Sequence, residues 1–200
     1  EDYRATLRKP LRKFHLGLPR QYYWEQLDGE VRRVAEAAVR DMKKLGAVVR
    51  EISLPHVRES NDAATNMSLA EARRVHEAAG YFPGSASEYT EEVRQRIEAG
   101  GQVSAIKYLE ALDIRKRMLA EFDAAFRDAH AGVDAIVAPT VPIPAPPTSV
   151  DYVQIGGEQV GVRPALVGMN RPANFTGLPA ISVPCGFTRD GLPAFLAQRG

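Results

Sequence analysis

The 200-residue sequence has little cysteine, no long apolar run and no excess of charge of either sign. Its one cysteine, Cys185, excludes an internal disulfide and a multi-cysteine metal site. No apolar run approaches the roughly 20 residues of a membrane helix. No apolar stretch follows Glu1, as it would in a secretory signal. We therefore expect a cytoplasmic protein with no membrane partner.

Basic and acidic residues nearly balance, with 26 Lys and Arg against 25 Asp and Glu. They are interleaved along predicted helices, for example over residues 91–98, which indicates solvated helix faces. A nucleic-acid groove would need clustered positive charge with stacking aromatics, and the sequence shows neither. The basic residues at 4–13 form the only local excess, which we interpret as surface, with a phosphate site as the alternative. We expect no nucleic-acid partner.

What the sequence does contain is a strand, helix and strand pattern near its start. Residues 14–18 form a short extended run, and residues 47–54 are rich in β-branched side chains. Between them, apolar residues recur every three or four positions from Asp28, a predicted N-cap, to Gly46, a predicted left-handed C-cap. Such a unit favours two parallel strands joined by a right-handed crossover.

Three further helices are predicted over residues 62–79, 89–100 and 104–130. Ser104 caps the last of them, which is the longest. Its predicted apolar face consists of Tyr108, Leu109, Leu112, Leu119, Phe122 and Phe126. We expect this face to pack on a sheet.

Residues 133–138 and 180–183 are nearly all apolar, which predicts two buried strands. The proline-rich residues 139–147 predict an extended, ordered loop, with a polyproline ligand for an SH3-like partner as the alternative. Residues 150–162 predict a hairpin, and residues 189–191 a tight turn. The whole pattern predicts an α/β fold, a mixed β-sheet flanked by helices, in one unit.

Four segments resemble the C-terminal part of amidase signature enzymes and occur in that family's order. The sequence NFTGLPAISVPCG at 174–186 resembles the segment before the last sheet strands, and VDAIVAPTVP at 133–142 a strand with its following loop. Residues 108–112 resemble the long helix, and LGLPRQYYW at 16–24 an early strand. The resemblance implies that residues 1–200 form the C-terminal part of an amidase signature domain.

One segment departs from the family. Gly191, Leu192 and Pro193 match the family's GLPvGlQ strand, but residues 194–198 do not continue it cleanly. Either one residue is inserted or Phe195 replaces a small residue, and either change would alter the packing of the final strand.

The resemblance implies a hydrolase that converts a carboxamide into an acid and ammonia or an amine. In this family a serine nucleophile is bridged through a second serine, in a cis peptide, to a lysine base, and a Gly/Ser-rich loop stabilises the oxyanion. The sequence holds no such loop, and PGSAS at 83–87 imitates it only weakly, so we do not expect Ser85 or Ser87 to be nucleophiles. We expect no catalytic residue in this chain, catalytic residues upstream of Glu1, and no activity from the chain alone.

Three residues are candidates for substrate contact: Asn174, Thr176 and Arg96. Asn174 and Thr176 precede a predicted turn at Gly177, so anchoring of that turn is the alternative. Arg96 lies, like Arg94, on a predicted helix where related enzymes place polar residues that line a substrate funnel. A solvated helix face is the alternative for both arginines.

The remaining candidates favour ordinary structural roles. The histidines are scattered, without acidic companions at ligand spacing, so we predict no metal and no cofactor. We interpret Cys185 as a buried, inert thiol rather than a nucleophile. Tyr22, Tyr23 and Trp24 are expected to pack the end of the first strand, with an aromatic pocket wall as the alternative.

The expected partner is a small-molecule amide substrate, and the sequence leaves a homodimer open. The resemblance also includes one subunit of the glutamine-dependent glutamyl-tRNA amidotransferases. That branch carries an acidic residue near the position of Val167, and its absence favours a general amidase. A non-catalytic binding module is the third hypothesis, and the two apolar strands argue against it, because a free-standing module would carry polar, charged edge strands.

Overall fold

The computed structural model describes residues 14–128 and 131–199. The chain divides into two compact units, the first formed by residues 1–55 and 121–200 and the second by residues 56–120. The basic residues 4–13 and the predicted helix end at His130 lie outside the described residues.

The first unit is built on a mixed β-sheet, which confirms the predicted fold class. Its strands, and those of a separate hairpin, are β1 (His15–Pro19), β2 (Val48–Ile52), β3 (Ala135–Pro139), β4 (Tyr152–Ile155), β5 (Glu158–Gly161), β6 (Ala180–Phe187) and β7 (Pro193–Arg199). The five-stranded sheet has the order β2-β1-β3-β7-β6. β1 pairs in parallel with β2 and β3, whereas β7 pairs antiparallel with β3 and β6.

Helix α1 (Gly29–Lys44) connects the parallel strands β1 and β2, as predicted. The Asp28 Oδ1 atom accepts hydrogen bonds from the backbone N–H groups of Glu30 at 2.8 Å and Val31 at 3.3 Å. This side chain therefore satisfies two of the donors that every helix start leaves without partners. Gly46 follows the helix with a φ of 100°, a backbone conformation that favours glycine.

The second unit is helical and confirms the three predicted helices with slightly different bounds. They are α2 (Ser60–Ala78), α3 (Glu91–Gly100) and α4 (Ala105–Arg127), the last of which continues beyond this unit. α3 ends close against α2: a Cβ atom at Gly100 would lie 2.2 Å from the backbone oxygen of Leu69. Only glycine fits there, so the close approach of these helices depends on that residue.

The predicted apolar face of α4 is wrong in part. Leu109 and Leu112 are 59% and 37% exposed, while Ala111, Met118 and Phe122 are buried. Phe122 belongs to the predicted face, whereas Ala111 and Met118, which are buried with it, do not. The buried residues of α4 therefore follow positions 111, 118 and 122, at helical spacing, and not the whole predicted face.

Two short helices, α5 (Val162–Gly168) and α6 (Arg171–Thr176), follow the β4–β5 hairpin. The hairpin confirms the prediction, with positive φ angles of 60° and 88° at Gly156 and Gly157. A small hydrophobic cluster of Ile143, Ile155 and Ala165 ties the proline-rich loop to the hairpin and α5.

Strand β6 differs from its prediction in two respects. It is longer than residues 180–183, and Ile181 and Val183 are 60% and 43% exposed, so the prediction of a buried strand is wrong for this chain. The physical reason is its place at the sheet edge, where β7 is its one partner among the described strands.

The irregularity suspected near Phe195 lies in the neighbouring strand. Pro184 pairs with Phe195 and Gly186 pairs with Ala194, so the register shifts across Cys185 in β6. Cys185 is therefore the extra residue of a β-bulge in β6, and β7 carries no extra residue at this point. β7 keeps its pairing with both β3 and β6.

Candidate functional site

The segment that precedes β6 holds two of the predicted site residues. Residues 171–176 form the short helix α6, with Pro172 in the first turn, where its missing N–H costs nothing. Gly177 ends the helix in the left-handed region at a φ of 77°, and its N–H donates to the Ala173 carbonyl at 2.8 Å. The predicted glycine turn is thus present, one helical turn after Asn174.

The structure places Asn174 and Thr176 in different surroundings on α6. Thr176 is buried, and its Oγ1 donates to the Pro172 carbonyl at 2.7 Å, so its side chain is hydrogen-bonded within α6. Asn174 is exposed, and its side-chain amide has no hydrogen-bond partner among the residues that the structure describes. The amide of Asn174 can therefore bind a ligand, while substrate contact by either residue stays a prediction.

Arg94 and Arg96 lie on α3, in the second unit. Arg94 forms ion pairs with Glu91 and Glu98, as expected for a solvated helix face. Arg96 is half-buried, and within the described ranges it has neither an ion pair nor a side-chain hydrogen bond. Of these two cations, Arg96 is the one with its charge available to a ligand.

A hydroxyl pair that the sequence reasoning missed joins two of the family-like segments. The Oγ1 of Thr140, in the loop after β3, lies 3.1 Å from the Oγ of Ser182 on β6. The Thr140 N–H also donates to the Phe195 carbonyl at 3.1 Å. Each hydroxyl can donate and accept, so the pair can orient a polar group. Both residues stand in the quoted motifs, but nothing in the sequence shows that they meet.

An apolar groove of about 320 Å³ lies between α1 and the β6–β7 side of the sheet. Its lining is Ala38, Asp41, Met42, Leu45, Val137, Val183, Pro184, Cys185, Leu196 and Ala197. The Cys185 thiol donates to the Ala194 carbonyl at 3.4 Å, and burial raises its pKa. A raised pKa disfavours the reactive thiolate, which supports the interpretation of Cys185 as an inert thiol.

A serine nucleophile with its base is absent from the described part of the chain. No serine hydroxyl is hydrogen-bonded to a lysine amine within residues 14–128 and 131–199, and this includes Ser85 and Ser87. The same ranges hold no cluster of three or more His, Cys, Asp or Glu side chains that could bind a metal ion. Two of the histidines have ordinary partners: His15 lies 3.7 Å from Asp134, and His76 lies 2.7 Å from the Tyr89 hydroxyl.

We compared the helices of the described ranges with the length and apolar character that a membrane-spanning helix needs. None of them is both long enough and apolar enough to cross a bilayer.

Comparison with known proteins gives one consistent result. The Amidase family profile matches residues 1–196. An amidase of Pseudomonas putida is 30% identical over 96% of this chain and 40% of its own length. A glutamyl-tRNA(Gln) amidotransferase subunit of Myxococcus xanthus is 31% identical over 100% of this chain and 44% of its own length. The chain thus spans less than half of the relatives that it matches.

Solved structures agree with the sequence relatives. A crystal structure of an amidase superposes with a TM-score of 0.83 at 28% identity, over 96% of this chain and 42% of that one. A bacterial aryl acylamidase of the amidase signature family superposes with a TM-score of 0.79 at 23% identity, over 100% of this chain and 42% of that one, which supports the fold alone. The match over residues 1–196, together with the mixed sheet, shows that this chain belongs to the amidase family.

Proposed function

We propose that this chain is the substrate-funnel half of a carboxamide hydrolase, an enzyme that cleaves an amide C–N bond to give an acid and ammonia or an amine. Its serine nucleophile, bridging serine and lysine base lie in a portion of the parent enzyme that precedes the matched segment. No cofactor takes part. The observation that carries this proposal is a family match along residues 1–196 to relatives more than twice as long.

The absence of a Ser–Lys pair from the described residues supports the proposal that catalysis takes place in the upstream portion and substrate binding in this chain. Amide hydrolysis by this chemistry needs a nucleophile in contact with a base and donors for the oxyanion. The described residues supply no nucleophile in contact with a base, because no serine hydroxyl among them is hydrogen-bonded to a lysine amine. Removal of such groups costs serine hydrolases several orders of magnitude in rate, so the chain alone is inactive.

The exposed edge of the sheet supports the same conclusion. β6 presents Ile181, Val183 and Phe187 to solvent, and the apolar groove lies beside it. A free-standing module would protect such an edge with charge, proline or a covering segment. In the complete enzyme, the remaining portion of the fold covers β6 and the groove, which also argues against an independent binding module.

Asn174 and Arg96 are the substrate-contacting residues in this proposal. Each carries a polar group without a partner among the described residues, one on α6 and one on α3. The Asn174 amide can both donate to and accept from a carboxamide. The Arg96 guanidinium can donate to an acceptor oxygen of a ligand that binds at α3. Thr176 contributes through α6, whose C-terminal turn its hydroxyl stabilises, and its proposed role is support of the substrate position.

A glutamine-dependent tRNA amidotransferase component is the second candidate, because relatives with that description match at 31–33% identity. Val167, on α5, stands where we expect an acidic residue in that branch. A general amidase therefore remains the favoured function.

The test uses the complete enzyme beside the 200-residue chain. Both are assayed for ammonia release from aliphatic amides, aromatic amides and glutamine, with Ser85→Ala and Ser87→Ala variants of each. We expect turnover of simple amides by the complete enzyme, unchanged in both variants, and none by the chain. Mixing the chain with its separately expressed upstream portion should restore activity. Turnover by the chain that disappears in either serine variant would contradict the proposal.

The substrate role of Arg96 has a matched control on the same helix. In the complete enzyme, Arg96→Gln should raise KM roughly fivefold to tenfold with little change in kcat, because a charged hydrogen bond to the bound substrate is lost. Arg94→Gln removes the same charge from the ion-paired face and should leave both constants unchanged. Equal effects of the two substitutions on KM would mean that Arg96 lies on a solvated helix face and does not contact the substrate.

A further inference from the structure

Tyr22 has the one left-handed backbone among the non-glycine residues that the structure describes. Its φ angle is 68°. The Tyr23 N–H donates to the Gln21 carbonyl at 2.8 Å, so Tyr22 is the central residue of a γ-turn closed by a hydrogen bond between residues two positions apart. A γ-turn with a positive φ at its centre is rare and strained, above all for a bulky side chain.

The surrounding structure holds this turn in place from both sides. The Gln21 Oε1 atom accepts from the Leu54 N–H, after β2, at 3.2 Å. The Arg32 Nη2 atom, on α1, donates to the Trp24 carbonyl at 2.7 Å. Backbone strain that the surroundings maintain in this way is concentrated at functional sites, which makes Tyr22 a candidate for contact with a ligand.

The turn also separates Tyr22 from the two aromatic residues that follow it. Tyr23 and Trp24 are 0% and 4% exposed, which confirms the prediction that they pack the end of β1. Tyr22 is half-buried, and its ring meets the Tyr23 ring edge to face at a centroid distance of 5.0 Å. The buried Tyr23 therefore orients the Tyr22 ring, and part of the Tyr22 side chain stays accessible.

The γ-turn lies at the edge of the sheet where α/β proteins bind their ligands. β1 and β3 are parallel neighbours, so their carboxyl ends meet at the same edge. After β1 the chain continues through α1 to β2 on one side, whereas after β3 it leads to β6 and β7 on the other. The crevice outside the carboxyl ends of two strands whose connections diverge is the common ligand site of such sheets.

The loop after β3 brings polar groups to this edge. Thr140 follows the last residue of β3, and its hydroxyl forms the pair with Ser182 described above. The Pro142 carbonyl accepts from the Asp28 N–H at 2.8 Å, which fixes this loop against the segment that follows the γ-turn. Small-molecule sites combine an apolar or aromatic wall with a few placed polar groups, and this edge carries both.

We propose that Tyr22 determines substrate specificity in the carboxamide hydrolase, through packing of its ring against an aromatic group of the substrate. This inference rests on the function proposed above. Glycine would adopt the same turn without strain, so a tyrosine at this position is explained by use of its ring. The flat face of that ring complements a phenyl group better than a saturated ring of similar size. The substrate class is therefore an aromatic carboxamide.

Two amides of matched size provide the first readout in the complete enzyme. Benzamide and cyclohexanecarboxamide carry a planar and a saturated ring on the same carboxamide group. Tyr22→Ala should lower kcat/KM about tenfold for benzamide, mainly through KM, and at most about twofold for cyclohexanecarboxamide. Tyr22→Phe keeps the ring and should keep both values. Tyr152→Ala removes an exposed tyrosine of the β4–β5 hairpin and should also leave both unchanged.

Thermal unfolding distinguishes this role from a structural one. Glycine tolerates a positive φ and alanine does not, so Tyr22→Gly should melt at a temperature at least as high as Tyr22→Ala, the reverse of the order at most positions. Both variants lack the ring, so both should show the same loss with benzamide. If the ring served only the fold, the more stable variant would keep more activity.

Two results would overturn the inference while amide hydrolysis itself stands. One is an equal loss, or no loss, for the two amides in Tyr22→Ala, since the ring would then not recognise an aromatic group. The other is a lower melting temperature for Tyr22→Gly than for Tyr22→Ala, which would mean that the turn is not strained. Absence of turnover of every amide by the complete enzyme would instead contradict the proposed function, and the inference with it.

Discussion

β3 and β6 belong to the same sheet and have similarly apolar sequences, AIVAP and AISVPCGF, yet one is buried along its length and the other is largely exposed. β3 lies between β1 and β7 in the middle of the sheet, while β6 forms its edge. Hydrophobic sequence alone therefore does not determine burial within this chain. The relatives that this chain matches are more than twice as long, and burial of β6 in a longer parent is part of the proposed function.

The two strands also differ in what a substitution should cost. A buried apolar side chain loses its transfer free energy and leaves a cavity when it is shortened, whereas an exposed one loses little. Exposure, and not apolar character, should therefore set the energetic cost of a substitution in this chain.

The largest effect is expected on α4, where the same distinction applies within one helix. Phe122 is 1% exposed, so Phe122→Ala should reduce the free energy of unfolding by about 3–5 kcal/mol. Leu112→Ala, at another residue of the same predicted face, should cost about 1 kcal/mol because its side chain is 37% exposed. Urea denaturation followed by circular dichroism measures both. A larger loss for Leu112→Ala than for Phe122→Ala would mean that the Leu112 side chain is packed, as the sequence predicted, and not exposed.

The strands themselves provide the second test. Ile136 is fully buried in β3, so Ile136→Ala should cost about 2–5 kcal/mol. Ile181→Ala removes the same atoms from β6 and should cost less than about 1 kcal/mol in the 200-residue chain. Denaturant unfolding of the two variants gives the comparison. In the complete enzyme the cost of Ile181→Ala should rise towards that of Ile136→Ala, and an unchanged small cost there would mean that nothing covers β6.

A third prediction concerns the association of the exposed edge. Ile181→Lys should reduce self-association of the 200-residue chain, because a charged side chain on an edge strand opposes pairing with another chain. Sedimentation velocity over a range of concentrations measures the effect. The matched control is Ile106→Lys, at an apolar residue of α4 that is also exposed. An equal effect of this substitution on self-association would mean that the chain does not associate specifically through β6.

The smallest effect is expected at the contact that links the β6–β7 turn to α1. The Glu30 carboxylate accepts from the Arg33 guanidinium and from the Arg189 backbone N–H, and these hydrogen bonds, that of Arg33 foremost, lower the pKa of Glu30 from 4.5 to about 2. Because the folded pKa is lower, this contribution to stability is complete above about pH 4.5 and is lost as the pH falls towards 2. An NMR titration of the Glu30 carboxyl group measures the shift directly.

Glu30→Gln provides the corresponding variant. It should leave the fold intact, reduce the protection of the Arg189 amide against hydrogen exchange at neutral pH, and remove the pH dependence of that protection between about pH 2 and 4.5. If the protection of the Arg189 amide keeps the same pH dependence in Glu30→Gln, a group other than Glu30 causes that dependence.

The candidate site was less predictable than the fold. Asn174, Thr176 and Arg96 were proposed as site residues through the resemblance, but their environments could not be predicted from it. The Thr176 hydroxyl is bonded within α6, and Arg96 has no partner that the structure describes. The contact between Thr140 and Ser182 joins residues 42 positions apart, and hydrophobic periodicity in the sequence cannot predict a contact over that separation. The left-handed backbone of Tyr22 likewise becomes visible only when the surrounding atoms are placed.

The sequence by itself determined the local structure of this chain. The side chain of Asp28, the glycines at 46, 156 and 157, and the apolar spacing of α1 act over a few residues, so their outcome could be deduced from neighbouring positions. The tertiary structure alone decided which stripe of α4 is buried, that β6 stands at the edge, and where the bulge at Cys185 falls. These features depend on the order of strands and on which atoms pack against each face, and both are set by contacts between residues far apart in the chain.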